Sequence, residues 1–280
     1  MVLVLSVATD RTKYVKEFEY SLQKLGYDYK LLGLGKKWEG FETKMKYYLK
    51  ELERLDPNEL VIVCDSYDIL FVQGPQIIES RYRQLANNKV VVGMENIKDE
   101  LCNFIGICIP EVVKKCKIKN KYYPDFKYIN SGFIMGSVRD LQEIFDFMIQ
   151  NGFKDDQKAL FNWIMKNCSR CFFDYHLDFV FNYMPKHFEK SKVKVELLNN
   201  LIKVNNSTPC VVHTPAQYLD LGYRTEMIRN FIVNGRSPVG KMEYFKQSYE
   251  KSCSPEAYYI GYWWIFVVLI IIILILIFKN

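Results

Sequence analysis

Continuous apolar runs alternate with helical patterns along the first half of the chain. The runs have the length and composition of buried strands, and they cover residues 2–8, 29–34, 60–64, 69–72 and 90–93. Between them, apolar side chains recur at helical spacing in residues 12–25, in residues 41–55 and after Pro75. Strands that alternate with helices predict an α/β domain with a Rossmann-like, mostly parallel twisted sheet flanked by helices.

The pattern continues more loosely in the second half. Residues 128–136 and 211–213 are further predicted strands, and residues 141–150 and 155–166 are predicted helices. Sheets of this kind bind ligands at the carboxyl ends of their strands, so polar residues at those ends are the first candidates for a functional site.

The C-terminal residues have a different pattern. Residues 258–278 carry no charge, and as a helix they would extend about 30 Å, the thickness of a hydrocarbon core. Aromatic residues gather at residues 258–264, as at a membrane interface, and more lysines precede the segment than follow it. We therefore predict a folded domain at 1–235, a juxtamembrane linker at 236–257 and a single C-terminal transmembrane helix, with the domain on the cytosolic side.

Composition and charge narrow the class of protein. The hydrophobic content of 49% and charged content of 25% are those of a folded domain. The net charge of +6 is spread along the chain rather than gathered into a basic stripe, so we expect no nucleic-acid partner. The eight cysteines include one C-x-x-C spacing, at Cys168 and Cys171, without a second pair at zinc-site spacing, and reduced thiols are the simpler expectation.

Two carboxylates follow the buried run at residues 60–64. Asp65 and Asp68 are three positions apart in the sequence Asp-Ser-Tyr-Asp. Two carboxylates this close repel each other and have raised pKa values unless a cation lies between them. Oxygen ligands suit Mg²⁺ or Mn²⁺, and such a cation suits a diphosphate. A turn in which the carboxylates only cap backbone amides is the alternative.

Other polar residues occupy settings that suggest a role. His213 ends an apolar run and is a candidate third ligand. Lys44, near the start of a predicted helix, could pair with a phosphate or simply lie at the surface. Asp155 and Asp156 begin a helix, where capping is reason enough for acidic residues. Asn130 lies in an apolar strand and needs polar partners, which a sugar would supply.

The order of these motifs resembles a known family. The segments Val7-Ala8-Thr9, Trp38-Glu39-Gly40, Asp65-Ser66-Tyr67-Asp68, Asn130-Ser131-Gly132 and Asp156-Gln157 follow one another as in the glycosyltransferase domain of procollagen-lysine hydroxylases, the multifunctional lysyl hydroxylases, and their viral relatives. The resemblance spans about residues 2–230. It implies a GT-A type fold, a UDP-sugar donor and Mn²⁺.

The resemblance also implies a role for each candidate. Asp65, Asp68 and His213 would hold the metal, and Asp155 and Asp156 would form an acidic catalytic cluster near the acceptor. The donor would be bound by Val7, Thr9, Trp38, Lys44, Ser66, Tyr67 and Asn130. The family moves glucose or galactose to hydroxylysine-linked acceptors with retention of configuration, so a protein or glycan acceptor is expected.

Two alternatives stay open from the residues. The family has a Gly-Pro-Thr-Lys type loop after its histidine, whereas His213 is followed by Thr-Pro-Ala-Gln, which suits a catalytically silent, membrane-tethered module that binds a UDP-sugar. A metal-dependent phosphotransferase with Asp65 as nucleophile is the other alternative.

Overall fold

A computed structural model of the chain describes residues 1–95, 112–117, 126–183, 195–198, 201–215, 229 and 231–233. The strands in these ranges are β1 (Leu3–Val7), β2 (Asp28–Leu32), β3 (Leu60–Cys64), β4 (Ile69–Phe71), β5 (Val90–Glu95), β6 (Tyr128–Ser137), β7 (Cys171–Asp174), β8 (Val180–Asn182), β9 (Val195–Leu198), β10 (Leu201–Val204) and β11 (Val211–His213). The α-helices are α1 (Lys13–Leu25), α2 (Phe41–Leu52), α3 (Pro75–Arg81), α4 (Val112–Lys115), α5 (Val138–Gln150) and α6 (Asp156–Asn167).

A six-stranded sheet forms the centre of the domain, with the strand order β2-β1-β3-β6-β5-β7. The pairs β1–β2, β1–β3 and β5–β7 are parallel, whereas β6 runs antiparallel to both β3 and β5. The prediction of an α/β domain with a large sheet flanked by helices is therefore confirmed. The sheet is mixed rather than mostly parallel, because the apolar pattern did not predict the reversed direction of β6.

Helices cover both faces of this sheet because successive strand residues point to opposite sides. On β1, Leu3, Leu5 and Val7 belong to one apolar core, which includes residues of α2, α5 and α6. Val2 and Val4 face the other core, which includes residues of α1 and α3. Each face thus buries an apolar helix stripe, and this burial is the main favourable contribution to folding.

A second, three-stranded sheet has the order β4-β11-β8. Strand β11 pairs antiparallel with β4 and parallel with β8, so His213 is opposite Ile69 on one side and Asn182 on the other. This small sheet brings a residue from late in the chain next to the turn that joins β3 to β4. The third sheet of the described residues is the antiparallel pair β9–β10.

The cysteines differ from the expectation of reduced thiols. Cys116 and Cys168 form a disulfide, with 52 residues of sequence separation, while Cys64, Cys171 and Cys210 are buried free thiols. The expectation of reduced thiols is therefore wrong for Cys116 and Cys168, because the fold brings together two cysteines that are far apart in the sequence.

The predicted transmembrane helix at 258–278 and the linker at 236–257 lie outside the described residues. Among the residues that the structure does describe, none of the helices has both the length and the apolar character needed to cross a bilayer.

Candidate active site

Three potential metal ligands converge where the two main sheets meet. Asp65 follows β3, Asp68 directly precedes β4, and His213 ends β11. One ligand atom from each residue lies within 4.8 Å of the others. The Nε2 atom of His213 is 3.4 Å from Oδ2 of Asp68 and 3.9 Å from Oδ2 of Asp65. The structure thus brings together all three residues for which the sequence predicted a metal-binding role.

Two polar atoms of this cluster have no hydrogen-bond partner. Oδ1 of Asp68 and Nε2 of His213 are buried, and neither makes a hydrogen bond. A buried polar atom without a partner costs about 1–3 kcal/mol, and more when it is charged, so such atoms require an explanation. Two carboxylates and an imidazole suit a divalent cation that accepts oxygen and nitrogen ligands, and this donor set fits Mn²⁺ or Mg²⁺.

The charges around His213 also favour a bound cation. Burial alone would lower the pKa of His213, but the negative charges of Asp68, then of Asp65 and Glu95, outweigh it and raise the pKa above its ordinary value. The cluster therefore attracts positive charge at a buried position.

Gly132 leaves room for this centre. A Cβ atom on Gly132 would lie 2.3 Å from Cε1 of His213 and 2.9 Å from Oδ2 of Asp65. Both distances are shorter than any normal van der Waals contact. In addition, the carbonyl oxygen of Gly132 accepts a hydrogen bond from the amide of Asp65 at 3.0 Å. Strand β6 therefore packs against the metal cluster at Gly132, and its backbone holds Asp65 in place.

Lys44 lies behind Asp65 in a buried ion-pair network. Its Nζ is 2.6 Å from Oδ1 of Asp65 and 2.7 Å from Oδ2 of Asp156, and the side chains of Lys44 and Asp156 are each only 8% exposed. Burial alone would lower the pKa of Lys44, but the carboxylates of Asp156 and Asp65 raise it well above its ordinary value. The surface position that the sequence left open for Lys44 is wrong, because the helix α2 directs this lysine into the protein.

The predicted donor-binding residues of the early chain form one layer beside Asp65. Oγ of Ser66 donates to the carbonyl oxygen of Val7 at 2.8 Å. The hydroxyl of Tyr67 accepts from the amide of Thr9 at 3.2 Å and donates to Oδ1 of Asp10 at 3.2 Å. These bonds tie the turn after β3 to the end of β1, so both strand ends present their side chains to the same edge of the sheet.

Trp38 is exposed near this edge. Its indole is 45% exposed and meets the ring of Phe41, itself 47% exposed, edge to face at a centroid distance of 5.9 Å. The Nζ of Lys44 lies 5.9 Å from the centre of the Phe41 ring. An aromatic pair with half of its surface in water, next to buried charges, is a suitable surface for a flat ring or a sugar.

Asn130 already has partners within the protein. Its Nδ2 donates to Glu95 at 2.9 Å, and its Oδ1 accepts from the amide of Gly132 at 2.8 Å. Glu95 also accepts from Nε2 of Gln157 at 3.3 Å. Asn130 therefore does not need a sugar as a partner, because Glu95 and a backbone amide already bond its side chain, and its role in donor binding stays a prediction.

The two acidic residues at the start of α6 have different environments. Asp155 is exposed and caps the helix, since its Oδ1 accepts from the amide of Lys158 at 2.7 Å. Asp156 is buried and paired with Lys44. Capping, the simpler role considered from the sequence, is thus what Asp155 performs, and a catalytic role for either residue stays a prediction.

A comparison with models of known protein families shows which family the chain belongs to. The family model described as the PLOD GT domain matches residues 1–234. This chain belongs to the PLOD GT domain family. The match includes every residue of the candidate active site, and it makes residues 1–234 a glycosyltransferase-like domain.

The relatives of this PLOD GT domain include viral and animal proteins. An uncharacterised protein of Acanthamoeba polyphaga mimivirus is 34% identical over 174 residues, which are 58% of this chain and 34% of that protein. Human procollagen-lysine,2-oxoglutarate 5-dioxygenase 1 is 38% identical over 104 residues, which are 34% of this chain and 14% of the dioxygenase. The chain thus spans about a third of the viral relative and a smaller part of the human one.

Among solved structures, a glycosyltransferase involved in the glycosylation of the major capsid of PBCV-1 aligns with a TM-score of 0.46 and 14% sequence identity. The alignment covers 80% of this chain and 98% of the viral enzyme.

Sequence reasoning missed two polar residues of this PLOD GT domain. Glu95 ends the apolar strand β5 and is buried, and burial raises the pKa of its carboxyl to about 7. The rule that selected Asp65, a carboxylate at the end of a buried strand, would also have selected Glu95. Asn182 lies beside His213 in the small sheet, and nothing in its local sequence indicates this, since the contact depends on the register of two distant strands.

Proposed function

We propose that the chain is a metal-dependent glycosyltransferase of the GT-A type, which moves a hexose, glucose or galactose, from a UDP-sugar to a hydroxyl group. The observation that carries this proposal is the cluster of Asp65, Asp68 and His213, in which two buried ligand atoms have no protein partner. The membership in the PLOD GT domain family supports the transferase activity.

Asp65, Asp68 and His213 would hold the cation, Mn²⁺ or Mg²⁺. When bound, such an ion supplies positive charge that stabilises the negative charge developing on a diphosphate leaving group. Lys44 keeps Oδ1 of Asp65 engaged at 2.6 Å, so this lysine fixes the orientation of the carboxylate whose Oδ2 faces His213. In the proposal Lys44 acts on the phosphate side of the donor through this carboxylate.

The donor would lie along the edge that carries the ends of β1 and β3. Tyr67 and Ser66 are bonded to the end of β1, which makes a pre-formed surface for the nucleotide, and the half-exposed Trp38 would stack on the base or the sugar. The acceptor, a protein or glycan hydroxyl that includes the hydroxylysine-linked class, would approach near Asp155 and Asp156.

The phosphotransferase alternative requires a carboxylate oxygen on Asp65 that is able to attack. Oδ1 of Asp65 is paired with Lys44, and Oδ2 lies in the cluster with His213. Neither arrangement favours Asp65 as a nucleophile, and the phosphotransferase and the silent binding module are kept as outcomes of the test below.

The test is UDP release by the full chain from a panel of UDP-sugars, with Mn²⁺ and with a chelator. We expect Mn²⁺-dependent release of UDP that falls at least about a hundredfold in Asp68→Ala, since loss of a ligand costs a few kcal/mol. The matched control is Asp28→Ala. It removes an exposed carboxylate at the first residue of β2, which is at the opposite end of the strands from the candidate site. Stabilisation by UDP and Mn²⁺ without release would favour the silent module, and phosphate release without UDP dependence would favour the phosphotransferase. Full turnover by Asp68→Ala would contradict the proposal.

We further propose that residues 258–278 anchor the protein in a membrane with the domain on the cytosolic side, on the basis of their uncharged apolar sequence. Alkaline carbonate extraction of membranes that contain the full chain should leave the protein in the pellet. Release into the supernatant would contradict a transmembrane anchor, and protection of the domain from protease in sealed vesicles would contradict the cytosolic side.

A further inference from the structure

Asn182 is the cross-strand neighbour of His213. Strands β8 and β11 pair in parallel, and the register places Asn182 directly beside His213. The side chains meet, since Oδ1 of Asn182 is 2.7 Å from Nδ1 of His213. Both residues are almost completely buried, with 1% of their surface exposed.

A backbone carbonyl determines which way the Asn182 amide points. Its Nδ2 donates to the carbonyl oxygen of Met94 at 2.9 Å. A carbonyl oxygen only accepts hydrogen bonds, so the amide nitrogen must face Met94 and the amide oxygen must face His213. Because that oxygen also only accepts, Nδ1 of His213 must carry the proton. In the neutral imidazole the lone pair is then on Nε2, the atom that faces Asp65 and Asp68.

The surrounding backbone fixes Asn182 at this position. A Cβ atom on Gly93 would lie 3.2 Å from Nδ2 of Asn182 and 2.8 Å from Cγ1 of Val180, so the glycine of β5 provides the space that β8 occupies. Strand β8 itself starts at a turn held by Asp174, whose buried carboxylate accepts hydrogen bonds from the amides of Phe179 and Val180 at 2.9 and 2.7 Å.

We propose that Asn182 is a positioning residue that holds the imidazole of His213 in the Nδ1-protonated tautomer and so presents Nε2 to a divalent cation. The inference rests on the metal site of the proposed function. Partners of this kind behind a ligating histidine fix both the tautomer and the orientation of the ring, and their loss weakens metal binding about 10- to 100-fold.

The first test measures the binding of Mn²⁺ alone to the full chain by calorimetry, without a nucleotide or turnover. Asn182→Leu keeps the branched shape of the side chain but removes the acceptor, and we expect a dissociation constant about 10- to 100-fold higher than that of the wild type. The matched control is Val180→Ala, two residues earlier in β8 and equally buried, which weakens the packing of the strand but leaves the acceptor; its affinity should stay within about twofold of the wild type. Equal affinities of wild type and Asn182→Leu would overturn the inference and leave the proposed metal site intact, whereas absence of Mn²⁺ binding by the wild type would overturn both.

A double-mutant cycle separates positioning from a general effect on the fold. In a His213→Ala background, the further change Asn182→Leu should alter the remaining Mn²⁺ affinity by less than about twofold, because the partner of Asn182 is already absent. A full additional loss in this background would show that Asn182 acts by another route and would overturn the inference.

The tautomer can be read directly in the wild-type protein, even if a variant fails to fold. The chain has only three histidines, so ¹⁵N spectra of the imidazoles, compared with those of His213→Ala, identify the signals of His213. At alkaline pH in the absence of metal we expect a protonated Nδ1 and an unprotonated Nε2. A neutral imidazole protonated at Nε2 would overturn the inference without any measurement of metal binding.

Discussion

Replacing Gly132 with alanine is expected to disrupt the proposed metal site by adding one methyl group. Gly132 does not have a left-handed φ, so the effect of the substitution comes from space and not from backbone strain. The new Cβ would lie 2.3 Å from Cε1 of His213, whereas carbon atoms in contact are about 3.5–4.0 Å apart. The imidazole of His213 is also hydrogen-bonded through Nδ1 to Oδ1 of Asn182, which restricts its movement. Relief of the clash therefore requires a shift of more than about 1 Å in β6, in the imidazole, or in both.

The magnitude follows from this shift. A displacement of about 1 Å in a reacting group or its ligand costs about a hundredfold in rate, equivalent to about 2.7 kcal/mol in the transition state. Overpacking of the core adds a loss of about 1–3 kcal/mol in the free energy of unfolding. We therefore expect Gly132→Ala to release UDP from a UDP-sugar at least about a hundred times more slowly and to bind Mn²⁺ more weakly.

The assay compares two glycines of the same strand. Gly136 is the control, because its added Cβ would lie no closer than 3.5 Å to any neighbour, which is an ordinary contact. Gly136→Ala should keep UDP release and Mn²⁺ affinity within a few-fold of the wild type. If Gly132→Ala matched Gly136→Ala in both measurements, the reasoning about the space beside His213 would be refuted.

Three further variants test the surroundings of the site. Lys44→Met leaves the buried carboxylate of Asp156 without its partner, so the free energy of unfolding in urea should fall by about 3–5 kcal/mol. The control is Lys46→Met at an exposed ion pair, which should lose less than about 0.5 kcal/mol. Equal losses in the two variants would contradict a buried ion-pair network. Burial raises the pKa of Glu95 from 4.5 to about 7, so the stability that depends on this carboxyl is fully present below about pH 4.5 and is lost as the pH rises through about 7. Glutamine does not titrate, so between pH 4.5 and 8 the wild type should lose more free energy of unfolding than Glu95→Gln, by an amount on the order of 3 kcal/mol. Urea titrations across this range measure the difference, and identical pH profiles of the two proteins would contradict it. Trp38→Ala should weaken UDP-sugar binding by about 1–3 kcal/mol in calorimetry while the melting temperature stays unchanged, because the indole is half exposed; unchanged affinity would remove Trp38 from the donor site.

Much of the fold could be predicted because its strands are continuous apolar runs. The prediction of a strand at 60–64 agrees with β3, and those at 2–8 and 128–136 differ from β1 and β6 by one or two residues at their ends. The direction of β6 could not be predicted, since an apolar run buried on both faces reads the same whether the strand is parallel or antiparallel.

The site was partly predictable for a related reason. Asp65 follows β3 directly and Asp68 comes three residues later in the same turn, so the strand pattern alone locates both at the edge where ligands bind. The burial of Lys44, by contrast, depends on the direction in which α2 turns its side chain toward Asp156. The contact between Asn182 and His213 depends on the pairing of two three-residue strands, which are too short to leave a periodic signal.

A crystal structure of the full chain with UDP and Mn²⁺, with the ion located by its anomalous scattering, tests the central claim most directly. We predict one anomalous peak in contact with a carboxylate oxygen of Asp65, a carboxylate oxygen of Asp68 and Nε2 of His213, at about 2.0–2.3 Å from each, and on the diphosphate of UDP. An anomalous peak away from these three side chains, or UDP bound elsewhere on the domain, would contradict the account.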